Sequence, residues 1–173
     1  QINVTTRCNL RCKICTTFNF SSKAEEELTL SEIKDIILQA DKMKIKTVVF
    51  SGGEPFLRPE IFEIFRFVHE NTKMKITVTT NATLIDRAMA EKIVAAPIGH
   101  LQISLDGARE STHDFIRGEG SFEKTTQAIT ILNQIKNSTL STGLSFTVTT
   151  FNYGEMADFL ERARQLSVNN VLF

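Results

Sequence analysis

Three cysteines fall within eight residues near the start of the chain. Cys8, Cys12 and Cys15 are the only cysteines among 173 residues, and their C-x-x-x-C-x-x-C spacing directly follows a predicted strand. Thiolates are soft ligands that favour iron–sulfur clusters, zinc or Cu(I). An odd number of cysteines this close together is a poor disulfide framework, because one thiol stays unpaired and the Cα separations must suit the bridges. The pattern therefore indicates a reduced, metal-binding loop rather than three inert buried thiols.

The number of ligands narrows the choice of metal. Electron-transfer [4Fe–4S] clusters and structural zinc sites normally take four protein ligands, whereas this loop offers three thiolates and no nearby histidine. On a four-iron cluster, three thiolates leave one iron open to a small molecule. The alternative is a zinc site completed from elsewhere by His69, His100 or His113, although each histidine is expected on a helix or loop surface.

Polar motifs stand at the ends of three later predicted strands. The glycines after the second strand let the backbone approach a ligand closely or adopt positive φ. An arginine after the fourth strand suits a carboxylate because its donors form a planar fork. Arg117 could instead form a surface salt bridge with Glu119 or Asp114, and Asp106 could be a turn residue before Gly107. The motifs are Gly52-Gly53-Glu54, Thr79-Thr80-Asn81 and Ser104-Leu105-Asp106, with Arg117 further along.

Alternating strand and helix signals supply the elements that must position these residues. Apolar residues recur at helical spacing between the strands, for example at Ile33, Ile36, Ile37 and Ala40 after a Thr29-x-x-Glu32 capping box. Repeated βα units imply parallel strands joined by crossovers. The predicted strands are Ile2–Thr6, Thr47–Ser51, Lys75–Thr80, Leu101–Asp106, Leu144–Thr150 and Val171–Phe173.

The third, fourth and fifth predicted strands alternate apolar and polar residues. Parallel strands buried on both faces usually read as continuous apolar runs. Here one face carries residues such as Leu101 and Ile103, and the other carries Gln102 and Ser104. We therefore expect the apolar face to pack on helices and the polar face to line a lumen that suits a polar ligand. On this pattern Val148 belongs to the apolar face with Leu144.

Length and composition fit this architecture and exclude some partners. A closed eight-unit barrel takes roughly 250 residues, so 173 residues predict an α/β fold of one domain, an open, partial TIM-like (βα)6 barrel that stops at the sixth strand. We expect a C-terminal extension beyond residue 173. With 20 basic and 20 acidic residues the formal net charge is zero, which gives no case for nucleic acid. No apolar run predicts a membrane span.

The cysteine loop, with the glycine motif one βα unit later, resembles the cluster motif of the radical S-adenosylmethionine (SAM) superfamily. The resemblance covers nearly the whole chain with motifs in the expected order. It is strongest for the branch with a C-terminal SPASM or twitch extension, which includes peptide and sulfatase maturases, haem-biosynthesis enzymes and the molybdenum-cofactor cyclase. The departures are Ile14, where the family usually has an aromatic residue, and Ala82, where it usually has glycine.

The resemblance implies a role for each motif. Cys8, Cys12 and Cys15 would hold a [4Fe–4S] cluster whose open iron takes the amino and carboxylate groups of SAM. The amino group would also meet Gly52-Gly53-Glu54, and Ile14 would lie against the adenine. The remaining contacts with SAM or substrate would come from Thr79, Asn81, Ser104, Asp106 and Arg117, with Thr147, Thr149 and Asn152 as weaker candidates for the adenine.

The implied activity is reductive cleavage of SAM to a 5′-deoxyadenosyl radical that abstracts hydrogen from a substrate, in peptide, protein or cofactor maturation. The implied partners are a flavodoxin- or ferredoxin-type electron donor and a peptide or cofactor-precursor substrate. An oxygen-labile cluster favours the cytoplasm. Two alternatives remain: a molybdenum-cofactor-type cyclase, and a non-catalytic iron–sulfur or zinc module for binding or redox sensing, which would not need the glycine motif or the Ser104–Arg117 pair.

Overall fold

The computed structural model describes residues 1–16, 27–135 and 139–173. Within these residues, parallel strands form one open sheet in which each strand pairs with its neighbours in sequence. This order confirms the expected partial TIM-like barrel. The strands are β1 (Ile2–Asn3), β2 (Thr47–Ser51), β3 (Lys75–Thr80), β4 (His100–Ser104), β5 (Ser141–Ser145) and β6 (Asn170–Leu172).

Helices connect the strands and cover the apolar face of the sheet. The predicted capping box starts the first helix, since Thr29 Oγ1 accepts from Glu32 N while Glu32 Oε2 accepts from Thr29 N. Asp86 caps the third helix by accepting from Met89 N. The helices are α1 (Leu30–Lys42), α2 (Ile61–Asn71), α3 (Arg87–Ala95), α4 (Glu110–Arg117), α5 (Ser121–Gln134) and α6 (Met156–Gln165).

The two faces of the sheet differ in chemistry as the alternation predicts. On the helix-covered face, residues such as Phe50, Val78 and Ile103 are fully buried. On the other face, the register places Thr79 beside Gln102 and Ser104 beside Ser145. The inner face of the barrel is therefore built largely from hydroxyl and amide side chains.

The fifth strand lies earlier in the sequence than predicted. β5 ends at Ser145, because Phe146 N still pairs with Leu172 O but the next amide, Thr147 N, is taken by the Asp106 carboxylate. Val148 is 45% exposed, so its assignment to the buried face was wrong. β4 also lies earlier than predicted, at His100–Ser104 instead of Leu101–Asp106. β1 is shorter than predicted, because it ends at Asn3 instead of Thr6.

Helix α4 was not predicted, and it lies next to the cysteine loop. Its apolar content is low, and Ile116 and His113 are the residues that it buries. No helix within the described ranges is long and apolar enough to span a bilayer.

Candidate functional site

A cavity of about 270 Å³ lies at the carboxyl ends of the strands. This is the end of an α/β barrel at which active sites form. Most of the residues predicted to bind cluster or SAM line it, including the weaker candidate Thr147, and Thr16, Ser51 and Thr80 line it as well. The predicted residues on its wall are Cys8, Cys12, Ile14, Cys15, Gly52, Gly53, Thr79, Asn81, Ser104 and Arg117.

The two glycines after β2 allow the cysteine loop to approach that strand. A Cβ on Gly52 would lie 2.1 Å from the Thr5 carbonyl oxygen, and a Cβ on Gly53 would lie 2.1 Å from the Arg7 carbonyl oxygen. Gly53 N and Glu54 N donate to those same oxygens, at 2.7 and 2.8 Å. The segment leading to Cys8 therefore packs against both glycines, which also line the cavity, and their close approach to a ligand stays a prediction.

The far side of the cysteine loop is held by the last turn of α4. Lys13 N donates to Ile116 O at 2.8 Å, and Cys12 Sγ lies 3.9 Å from Arg117 O. The Lys13 ammonium sits 3.0 Å from the centroid of the Phe115 ring, a cation–π contact. Helix α4, which was not predicted, therefore holds the part of the cysteine loop that does not contact the β2 end.

Glu54 lies behind the cavity wall. Its fully buried carboxylate accepts from Thr80 Oγ1 and Asn81 N, both at 2.8 Å, and from Phe56 N. Burial raises the pKa of Glu54 to about 7, although the hydrogen bonds act in the opposite direction. In this arrangement the side chain fixes the end of β3.

Asp106, which follows β4, also lies behind the cavity wall. Its carboxylate joins this segment to α4 and to the segment after β5. Its Oδ2 pairs with Arg117 Nε at 2.5 Å, and its Oδ1 accepts from Thr147 N at 2.7 Å. Arg117 is 13% exposed and lines the cavity, so the surface salt bridge considered above was wrong. Because Nε is committed to Asp106, any contact between Arg117 and an anionic ligand would come from its terminal amino groups.

His113 is fully buried, so its expected place on a surface was wrong. Its Nδ1 accepts from Asp106 N at 3.0 Å, and its ring packs against Phe122. Burial lowers the pKa of His113 to about 3, with Arg117 acting in the same direction, so the ring is neutral at pH 7. Nδ1 is therefore engaged with the protein backbone. His69 is exposed on α2, and His100 bonds Ser141 and Gln102 on the inner face of the sheet.

The three cysteine thiols are the candidate metal ligands of this site. Among the described residues, no three Cys, His, Asp or Glu side chains form a group that could hold one metal ion. A four-iron cluster does not require its ligands to converge on a point, and the three thiols line one cavity. Burial raises the pKa of the Cys8 and Cys12 thiols, and the Arg117 charge partly offsets this at Cys12. Ligation, which needs thiolates, should therefore strengthen with pH.

Some residues of the cavity wall were not predicted from the sequence, and some predicted contact residues are not part of the wall. Ser51 and Thr80 end strands that were predicted, so their position alone could have placed them in the lining. Thr147 lines the cavity, but Thr149 and Asn152 bond each other, and Asn152 also holds Asp106 O. No feature of the sequence predicted that His113 would be buried.

The sequence model of the radical SAM superfamily matches residues 2–163. The chain belongs to the radical SAM superfamily. Enzymes of this superfamily use a [4Fe–4S] cluster and SAM.

Individual relatives agree with this assignment. An AdoMet-dependent heme synthase of Methanosarcina barkeri is 34% identical, with 94% of this chain and 46% of that protein covered. The mycofactocin maturase MftC of Mycobacterium ulcerans is 31% identical, with 90% and 41% covered. The chain thus spans less than half the length of these curated relatives.

A solved structure shows the same fold. Streptococcus suis SuiB, in a crystal structure with the precursor peptide SuiA, has a TM-score of 0.81 to this radical SAM chain. The likeness covers 98% of this chain and 37% of SuiB at 19% sequence identity.

Proposed function

We propose that Cys8, Cys12 and Cys15 hold the [4Fe–4S] cluster and that the cavity beside them binds SAM. One observation carries this proposal: the three thiols line the same cavity as the ends of β2, β3 and β4. A redox-sensing or structural module would need only the three thiols and not the residues at the strand ends.

Each side of the cavity offers a different group to SAM. The terminal amino groups of Arg117 match a carboxylate, and Ser104 and Thr147 offer hydroxyls for the ribose or adenine. The backbone at Gly52-Gly53 lines the cavity, and we assign it the amino group of SAM, as the family resemblance implies. Ile14 gives the adenine an apolar surface without an aromatic ring. Glu54 and Asp106 contribute from behind, by fixing Asn81 and Arg117.

The chemistry comes from the cofactors. A [4Fe–4S] cluster held by Cys8, Cys12 and Cys15 would supply one electron for the cleavage of SAM to methionine and a 5′-deoxyadenosyl radical, which would take hydrogen from the substrate. The chain's own residues orient SAM and fix the cysteine loop between β2 and α4. A flavodoxin- or ferredoxin-type protein is the proposed electron donor.

The proposed substrate is a peptide or a cofactor precursor. The polar inner face of the sheet supports this, because hydroxyl and amide groups suit a substrate rich in hydrogen-bonding groups. The named relatives include both a maturase and a heme synthase. A molybdenum-cofactor-type cyclase remains the alternative, and the product formed would distinguish it.

The test is anaerobic reconstitution followed by SAM cleavage. We expect four irons and four sulfides per chain, and dithionite-dependent release of 5′-deoxyadenosine. Alanine at Cys8, Cys12 or Cys15 should abolish the cluster, whereas His69→Ala, which removes an exposed histidine, should retain it. Stoichiometric zinc without iron–sulfur absorbance would refute the cluster. An intact cluster that does not bind SAM would favour the redox-sensing module.

A further inference from the structure

We propose that the side-chain amide of Asn81 donates a hydrogen bond to the Cys8 thiolate and thereby raises the reduction potential of the cluster. This inference rests on the proposed role of Cys8 as a cluster ligand. It assigns Asn81 a function beyond the contact with SAM or substrate expected from the sequence.

The amide nitrogen of Asn81 has two acceptors within reach. Nδ2 lies 3.8 Å from Cys8 Sγ and 3.0 Å from Asn9 Oδ1. A primary amide carries two hydrogens, so both contacts can form together. Cys8 Sγ also accepts from Leu10 N at 3.4 Å. The Cys8 sulfur therefore has one backbone donor and one side-chain donor.

The orientation of the amide is fixed by Thr83. Asn81 Oδ1 accepts from Thr83 N at 2.9 Å and from Thr83 Oγ1 at 2.6 Å. A backbone N–H can only donate, so a flipped amide would place Asn81 Nδ2 against the N–H of Thr83. The oxygen must face Thr83, and the nitrogen must face Cys8.

The backbone of Asn81 is held from both sides. Its N–H donates to Glu54 Oε2 at 2.8 Å, and its carbonyl accepts from Thr125 Oγ1 at 2.9 Å. Asn81 itself is 6% exposed. Asn81 Nδ2 is thus held in place by the protein alone. Glu54 acts on the cluster indirectly, because it holds the backbone of Asn81.

A fixed donor beside a ligating sulfur favours the reduced cluster. Hydrogen bonds to cluster sulfurs are among the factors that set reduction potentials. One-electron reduction adds negative charge that spreads to the thiolates, so the N–H interacts more strongly with the reduced state. Low solvent exposure limits screening of this interaction.

The experiment is a redox titration of reconstituted variants, followed by electron paramagnetic resonance without SAM. For Asn81→Leu we expect the ratio of reduced to oxidised cluster at a fixed potential to fall about tenfold, equivalent to about 59 mV for one electron. Asn81→Asp, which keeps the shape but replaces the donor with an acceptor, should lower the ratio further. Asn9→Ala removes the second acceptor of the Asn81 amide and should leave the reduction potential unchanged.

The outcomes separate this inference from the proposed function. An Asn81→Leu cluster with the wild-type potential, or an equal shift in Asn9→Ala, would overturn the role of Asn81 alone. A wild-type protein that forms no cluster would overturn both. Where Asn81→Leu holds no cluster, ¹⁵N-asparagine labelling of Asn9→Ala decides the point. A nitrogen hyperfine coupling to the reduced cluster supports the bond, and its absence refutes it.

Discussion

Arg117 reaches the cavity from the last turn of α4, with its Nε bound to Asp106 and its terminal amino groups left for a ligand. Arg117→Ala would remove the proposed charge-assisted contact with SAM, and a contact of this kind contributes about 1.5–3 kcal/mol. SAM affinity should therefore fall about ten- to a hundredfold, while cluster content stays the same. Calorimetric SAM titration of the reconstituted proteins measures this.

Arg109→Ala is the matched control for that change. Arg109 pairs with Asp158 on the surface, with a side chain 66% exposed, so its loss should leave SAM affinity unchanged. Equal affinity of wild type and Arg117→Ala would mean that the arginine does not contact SAM.

His113 contributes to acid sensitivity. Its folded-state pKa of about 3 is far below the ordinary 6.5, so from pH 6.5 down to about 3 the unfolded chain takes up a proton that the folded one refuses. Stability conferred by the neutral ring is thus lost as the pH falls. Glu54, with its raised pKa, acts in the opposite direction between pH 4.5 and about 7, where its stabilising contribution declines as the pH rises.

We expect His113→Asn, which keeps an acceptor near Asp106 N, to lose less stability than the wild type between pH 6.5 and 4. Urea unfolding of the apoproteins across this range measures the difference. The control is His69→Ala, which should follow the wild type because His69 is exposed. If the free energy of unfolding had the same pH dependence in wild type and in His113→Asn, the conclusion that His113 is buried and neutral would be contradicted.

At the scale of elements, the site depends on the junction between β2 and the cysteine loop. A methyl group at Gly53 would collide with the Arg7 backbone, which cannot move without displacing Cys8. Gly53→Ala should lower the free energy of unfolding by about 1–3 kcal/mol and reduce iron content. Iron analysis and urea unfolding test this. Gly154→Ala, which has open space around it, should change neither, and full iron loading of Gly53→Ala would refute the junction.

The elements that sequence reasoning found are those in which local pattern and tertiary environment agree. β2 and β3 were predicted with their observed bounds because residues of high strand propensity fill both segments, and the structure buries alternate residues in each. α4 was missed because it buries little apolar surface and is stabilised by the cysteine loop and α5. The end of β5 was missed because a distant carboxylate, Asp106, captures Thr147 N. Such long-range hydrogen bonds leave no local signal.

The same limit applies to the candidate site. The cysteines and strand-end residues were predicted because residue type and position at a strand end suffice to place them. The positioning roles of Glu54 and Asp106 could not be predicted, since they follow from side-chain packing between elements. Ala82 shows the difference well: it stands where the family usually has glycine, and it adopts a left-handed φ of 61° that its local sequence does not demand.

At the scale of the whole molecule, the two faces of the sheet have separate tasks. The outer face packs on the helices and supplies the hydrophobic core, whereas the inner face is polar and carries the cavity. Adjacent residues of one strand should therefore respond differently to truncation. Ile103 and Ser104 on β4 are such a pair, because Ile103 is fully buried in the core and Ser104 lines the cavity.

Ile103→Ala should lower the free energy of unfolding by about 2–5 kcal/mol, the usual cost of truncating a buried aliphatic side chain. SAM affinity, measured where the variant is still folded, should change little. Ser104→Ala should alter the free energy of unfolding by less than about 0.5 kcal/mol. It should weaken SAM binding about two- to tenfold, because one neutral hydrogen bond of about 0.5–1.5 kcal/mol is lost. Urea unfolding and SAM titration of both variants give the four values needed. If Ser104→Ala destabilised the fold as much as Ile103→Ala, the inner face would be part of the packed core, and the division between a stabilising and a ligand-binding face would be wrong.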